Sequence, residues 1–248
     1  MRVAVLLITV FISCGSSIAQ AVIPSQLRAQ YTLNGVGDVN GLSTNEMLFG
    51  IPLPPGEVIG NTYLDLKWNK SRIMFYENEK IIEGLPVKYN IKEELLEIKT
   101  KYGVKVLEAA RVKSFMWADS LLTLEHYFIN GKEYKQNGSP LSGFLEVLSE
   151  GSIPLLKRTA IIQKDPNYIA ALDVGSTDTK LIKKETFYFA KGTDLKKIGT
   201  KKSLLQAFGE HSTAVEQYIK ENKLDLDRQN DLAKIFEFYN SKAKPQVN

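Results

Sequence analysis

Cysteine is almost missing from this chain: among 248 residues there is one, Cys14. A single thiol cannot form an intrachain disulfide, so the fold must rest on an ordinary core. Histidine is nearly as scarce. His126 and His211 are the only two, far apart and in no metal-ligand spacing, which leaves no zinc-type ligand set to read. No Gly-x-Ser-x-Gly elbow supports a Ser-His-Asp hydrolase. Carboxylate pairs of the glycosidase kind carry no signal, because dozens of acid pairs exist. No segment after the leader reaches the roughly 18 continuous apolar residues that a spanning helix needs. Internal repeats and low-complexity runs are absent too.

What is present begins with Arg2, followed by an apolar run over residues 3–12 broken only by Thr9. Small and polar residues come next, and Ser17-Ile18-Ala19 puts small side chains at −3 and −1 of a cut after Ala19. A positive end, a short apolar centre and a small-residue exit predict a cleavable secretory signal over 1–19. A second cut, after Ala21, is open. Cys14 offers an alternative: acylation as the first residue of a lipoprotein, although Phe11 at −3 fits that pattern poorly.

The mature part is predicted to be a normal globular protein, with 44% apolar and 24% charged residues in the whole chain. Its charge is uneven. Residues 20–156 carry net −2, residues 157–202 net +6 and residues 203–248 net −1. The basic stretch makes Lys183, Lys184, Lys196 and Lys197 candidates for contact with an anionic surface. The plainer reading is lysines guarding strand edges.

Residues 20–57 form a loop-rich lead-in punctuated by Gly35, Gly37, Gly41 and Pro52-Leu53-Pro54-Pro55-Gly56. Residues 58–198 read as short strands with turn signals every 8–12 residues or so, the spacing of an antiparallel meander. Predicted strands include 63–68, 73–75, 87–91, 95–98, 104–107, 112–117 and 121–129. A turn is expected at Asn69-Lys70-Ser71 and a hairpin at Asn130-Gly131. Residues 144–148 and 153–162 bracket a hairpin at Glu150-Gly151-Ser152. Residues 168–172 and 179–190 extend the sheet. Glu93-Glu94-Leu95-Leu96-Glu97 reads equally as a helical turn.

Beyond Gly199 the period changes, giving a helical segment over 199–241. Leu204, Leu205 and Phe208 suit a helix stopped at Gly209. Thr213 with Glu216 forms a predicted capping box ahead of Val215, Tyr218 and Ile219. Asp227 is a predicted cap for a last helix with Leu232, Ile235, Phe236 and Tyr239 on one face. Strands first and helices afterwards predict an α+β fold, a meander-rich antiparallel sheet closed by short C-terminal helices.

One stretch looks like chemistry. Residues 169–181 carry Asp173-Val174-Gly175-Ser176-Thr177-Asp178-Thr179-Lys180 after an apolar run. This resembles the first phosphate loop of the actin and sugar-kinase ATPases. The resemblance would give phosphate or magnesium roles to Asp173, Gly175, Ser176, Thr177 and Lys180. In that family the loop opens the first of two large subdomains, and here only about 75 residues follow. No second phosphate loop and no adenosine loop follows, and an exported protein meets little ATP. A β-hairpin whose turn uses glycine, serine and aspartate for geometry is the better reading. His126 is expected as an outward or half-buried strand residue, and His211 as a surface residue. Trp68, Trp117 and the tyrosines fill a core more often than they line a sugar site.

Val87-Lys88-Tyr89-Asn90, residues 144–151 leading into Leu155-Leu156-Lys157-Arg158, Lys201-Lys202-Ser203-Leu204-Leu205 and Tyr239-Asn240 carry a further likeness. Over roughly residues 58–240 the chain resembles a family of exported β-rich proteins common in Bacteroidota. That family offers no established activity, so the resemblance implies export and adds no site. The sequence therefore predicts an exported, non-enzymatic binding or interaction module of the cell envelope, periplasmic or secreted. The alternative is a secreted hydrolase acting on glycan or peptide. No cofactor, metal or nucleic-acid partner is expected. The expected partner is an envelope protein or cell-surface component, and a membrane only through lipidation at Cys14.

Overall fold

A computed structural model describes residues 54–119 and 124–243. The predicted leader, Cys14 and most of the predicted lead-in lie outside the described residues. The chain divides into two compact units, one containing Pro166–Thr177 and the other Glu57–Asp165 with the chain from Asp178 onward.

Among the described residues the larger unit holds one mixed, mostly antiparallel sheet of 13 strands. In chain order they are β1 Val58–Ile59, β2 Asn69–Phe75, β3 Ile81–Asn90, β4 Leu95–Thr100 and β5 Gly103–Glu108. Next come β6 Val112–Asp119, β7 Leu124–Asn130, β8 Lys135–Gln136, β9 Ser139–Pro140 and β10 Phe144–Ser149. The last are β11 Leu155–Lys164, β12 Thr179–Lys191 and β13 Asp194–Lys197. Among the described residues three helices follow: α1 Lys201–Ala207, α2 Ser212–Glu221 and α3 Gln229–Lys242. The fold is α+β. The spatial order is β5-β4-β3-β2-β6-β7-β10-β11-β12-β13-β8-β9, with β1 beside β12. Among the described residues no helix is long and apolar enough to cross a membrane.

Strand alternation sorts the apolar residues into three buried clusters. Ile73, Val87, Tyr89, Leu96, Phe115, Trp117, Phe128 and Phe144 make the first. Leu155 and Phe189 join Leu204, Phe208, Val215, Ile219, Leu232, Ile235, Phe236 and Tyr239 in the second, which docks the helices on the sheet. Leu145, Leu156, Tyr188, Ala190 and Leu195 form the third, on the other face.

The sheet is strongly curved, as simple lengths require. β1 runs parallel to β12, with Val58 beside Thr179. Thr62 and Leu64 then bond β3: the Ile91 amide donates to the Thr62 carbonyl and the Leu64 amide to the Tyr89 carbonyl, both at 2.8 Å. Five strands separate β3 from β12. Laid flat, that gap would be about 29 Å at the usual strand spacing of ~4.8 Å. The stretch from Ile59 to Leu64 reaches at most about 18 Å. The sheet must curl around the first cluster for this crossing to close.

Several local expectations are corrected. Of residues 63–68 only Tyr63 pairs, as an isolated bridge to Asn90; the Asp65 carboxylate instead accepts from the Lys67 amide and the Asn69 side chain. Asn69 and Ser71 begin β2 rather than a turn, and the Ser71 hydroxyl donates to the Leu85 carbonyl. Asn130-Gly131 makes no tight hairpin. The Asn130 side chain is buried, donates to the Ala109 and Val112 carbonyls and accepts from the Lys132 amide. The chain leaves through a 3-10 turn, and β7 pairs with β10 instead. Residues 91–94 form a turn before β4. Residues 168–172 form no strand; only Ile169 pairs, with Val174. At the helix starts, the 3-10 turn Gly209–His211 runs straight into α2, so Thr213 lies inside it. The reciprocal cap falls on Thr200 and Ser203 of α1. Arg228, not Asp227, precedes α3.

Candidate binding cleft

Alternation also places polar side chains where apolar ones are expected. On β10, Phe144 belongs to the first cluster and Leu148 packs on the second. Glu146 lies between them on the same face. On β11, the residue following Leu155 on that face is Lys157, which pairs with Glu146 in register. On β7 it is His126, two before Phe128, and on β12 Glu185 and Lys183 precede Phe187. A charged strip thus fills the sheet between two apolar clusters.

The strip is a connected network. The Glu146 carboxylate meets His126 Nδ1 at 2.7 Å through one oxygen and Lys157 Nζ at 2.7 Å through the other. Lys157 also donates to Gln229 at the start of α3, at 2.9 Å, and stands 3.5 Å from Glu185. The Glu146 and Lys157 side chains are only 8% and 11% exposed, against 34% for His126 and 52% for Glu185. Burial of ions is tolerated only where each is paired and hydrogen-bonded, and here each is.

Above the strip opens a cleft of about 590 Å³, lined by this network, Thr159, Lys183, Trp117, Phe128, Leu64 and Asp65. The two rings pack against each other with centroids 5.0 Å apart. Leu64 and Asp65 belong to the crossing that closes the sheet, so the same segment shapes the cleft wall. Lys183 donates to the Leu64 carbonyl at 3.3 Å. Burial pushes the Asp65 carboxyl up, but donors from Lys67, Asn69 and Leu66 and the Lys67 charge outweigh it. The net position is below the ordinary carboxylate value.

Chemically, Glu146 has no unengaged oxygen and Lys157 is held by three acceptors. With Nδ1 donated to Glu146, the His126 Nε2 atom has no partner among the described residues. Among those residues no three His, Cys, Asp or Glu side chains gather as metal ligands.

The four lysines singled out in the sequence do not form one patch. Lys183 lines the cleft. Lys184 lies opposite Ala160 on the other face. Lys196 lies opposite Phe189 and pairs with Asp194 at 3.5 Å, while Lys197 lies opposite Tyr188. His211 packs edge-on against Tyr239 with centroids 5.8 Å apart and stands 3.6 Å from Glu210. Glu146, Lys157 and Glu185 were missed. Their signal was available: a charge in the inward phase of an otherwise apolar strand.

In the smaller unit, the residues resembling a phosphate loop are occupied by turn geometry. The Ile169 amide donates to the Val174 carbonyl at 2.8 Å and the Ser176 amide to Asn167 Oδ1 at 2.9 Å. Tyr168 donates to the Asp173 carboxylate. Gly175 has φ +99°, and a Cβ there would stand 2.4 Å from the Asn167 carbonyl oxygen. A close backbone approach explains the glycine without a phosphate.

No protein-family model, curated protein or solved structure matches this chain.

Proposed function

We propose that the chain is an exported, non-enzymatic binding module of the cell envelope whose cleft holds a polar, hydroxyl-rich ligand such as a cell-surface saccharide. The leader pattern and the likeness to exported proteins support export. The observation that carries the binding reading is the mutual engagement of Glu146 and Lys157 on the cleft floor. A catalytic acid or base needs a free site for the proton it moves, and these two groups have none. The buried Glu146–Lys157 pair of this floor is charge-balanced. Above it, the largely buried Trp117 and Phe128 close an apolar wall, while Glu185, Thr159 and Asp65 supply acceptors. That combination of apolar wall and few polar groups suits a small ligand.

The test is an NMR titration with soluble oligosaccharides, followed through the Trp117 indole and the His126 ring. Saturable shifts at both are expected, with Glu185→Gln weakening binding about 10- to 100-fold, the value of one charge-assisted hydrogen bond. Absence of shifts with every saccharide, together with a single protein captured by crosslinking in intact cells, would replace the ligand with that protein. The hydrolase reading keeps one specific support, the unengaged His126 Nε2 beside the half-exposed Glu185. Turnover of chromogenic glycosides or peptides that disappears in His126→Ala would make that reading the correct one.

A further inference from the structure

The outward face of β3–β5 combines exposed apolar side chains with lysines. Leu96 and Ile98 enter the first cluster, so Glu97 and Lys99 lie on the opposite face of β4. Register puts Val104 beside Lys99, Val106 beside Glu97, and Lys88 of β3 on the other side of Glu97. Trp68 and Tyr63 lie over this face: Lys88 Nζ stands 4.8 Å from the Trp68 ring and 5.6 Å from the Tyr63 ring, and Lys99 Nζ 6.0 Å from Trp68. Glu97 accepts from the Tyr63 hydroxyl at 2.7 Å. Val104 and Val106 are 52% and 61% exposed, and Tyr102 at the hairpin tip is 80% exposed. Lys99 and Lys101 make no ion pair among the described residues. Lys105, opposite Ile98, lies on the inner face, while the acids on the outward face of β4 and β5 are Glu97, already engaged by Tyr63, and Glu108 at the end away from the hairpin tip.

We propose that this face and the β4–β5 hairpin tip dock on an anionic phospholipid surface. Two features must be matched together, and their combination selects the occupant. An anionic polymer such as an acidic glycan would satisfy the lysines and leave both valines against water. A neutral apolar partner would bury the valines and strand the unpaired ammonium groups. A lipid interface accepts both: valines and the tyrosine ring enter the headgroup–acyl boundary, Trp68 sits at headgroup level, and lysines reach phosphates on flexible stems. This docking needs no acyl chain on Cys14. It is also independent of the cleft, since Glu146, Lys157 and His126 lie on the inner face of the sheet.

The experiment uses the full chain with vesicles of phosphatidylcholine alone or mixed with phosphatidylglycerol, both carrying brominated acyl chains. The chain has two tryptophans, and Trp117 is 5% exposed, so quenching reports Trp68. Emission should be quenched by the anionic vesicles and not by the neutral ones. Lys99→Gln/Lys101→Gln should weaken partitioning about 30-fold, and 0.5 M salt should weaken it as well. Val104→Ser/Val106→Ser should bind with shallower quenching, with circular dichroism unchanged in both variants. The apolar leader is common to all three proteins, so differences between them isolate this face. Vesicle-bound protein with unquenched emission would overturn the proposal. So would equal partitioning of the lysine variant. A concentration-dependent dimer that Val104→Ser/Val106→Ser dissolves, without lipid binding, would assign the face to a second copy instead.

Discussion

Glu146 is held from both sides, and the consequence of losing a neighbour differs from the consequence of losing the whole network. Lys157→Met leaves a carboxylate buried with only His126 and should cost about 3–5 kcal/mol. Adding Glu146→Leu to that variant should restore part of the loss, because no charge is then stranded. Urea unfolding of both proteins measures the difference; a double variant weaker than the single one would show that the network stabilises beyond its own desolvation. Asp65 gives a pH prediction. Its folded carboxyl lies below the ordinary value, so its contribution is complete above about pH 4 and is lost as pH falls through the lower folded value. The stability gap between the protein and Asp65→Asn should therefore be constant from pH 7 to 5 and shrink on further acidification. Sequence pattern left His126 as an outward or half-buried strand residue, and it is half-buried on β7. It did not reveal Glu146 as its partner, because side-chain pairing across β7 and β10 depends on which strands become neighbours.

Between elements, the join of the β10–β11 hairpin to α3 rests on Asn240. Its amide donates to the Glu150 and Ile153 carbonyls, and its oxygen accepts from the Ile153 amide and the Ser152 hydroxyl. Gly151 makes room: at φ +143°, a Cβ there would stand 2.2 Å from the Asn240 side chain. Asn240→Ala should destabilise the protein by about 1–3 kcal/mol, since it leaves hairpin groups without a partner, and Gly151→Ala should cost more, since it also places a Cβ on a backbone at φ +143°. The double variant should cost about as much as Gly151→Ala alone, because Asn240→Ala removes the clash and the shared contact but not the backbone strain at φ +143°. Thermal or urea unfolding checks this, and full additivity would separate the two residues. The apolar stripes of the helices were largely legible from spacing: Leu204, Phe208, Val215, Ile219, Leu232, Ile235, Phe236 and Tyr239 are buried, while Leu205 and Tyr218 are half-buried. The caps were not. Thr213 and Asp227 carry the right side chains, but the incoming backbone direction decides whether a cap forms, and that direction is set by the 3-10 turn before α2.

For the molecule as a whole, the governing feature is the crossing from β12 to β3. It joins partners far apart in sequence; the Glu57 amide donates to Asp178 across 121 residues. Such long-range closure is entropically costly, so folding should take on the order of milliseconds to seconds or longer rather than microseconds. Stopped-flow refolding measures this. Leu64→Pro removes the amide that bonds Tyr89 and should accelerate hydrogen exchange in β3 while sparing α3. Uniform acceleration across both would show that the closure is part of one cooperative unit. Local alternation made the α+β class and most strands readable in advance. Strand order and curvature were not, because a two-residue strand such as β1 carries no periodicity; its place follows from a partner chosen by tertiary packing.

β11 and β12 meet along ten consecutive register pairs, from Leu155–Phe189 to Lys164–Lys180, and the chain between them passes through the small hairpin unit. The ladder is held by cross-strand bonding and by apolar side chains on both faces at its inner end, not by the covalent link at its outer end. The protein is thus a natural candidate for complementation. Two polypeptides divided within Pro166–Thr177 would each carry one complete side of the ladder, and co-expression should let them reassemble into a nicked but native molecule.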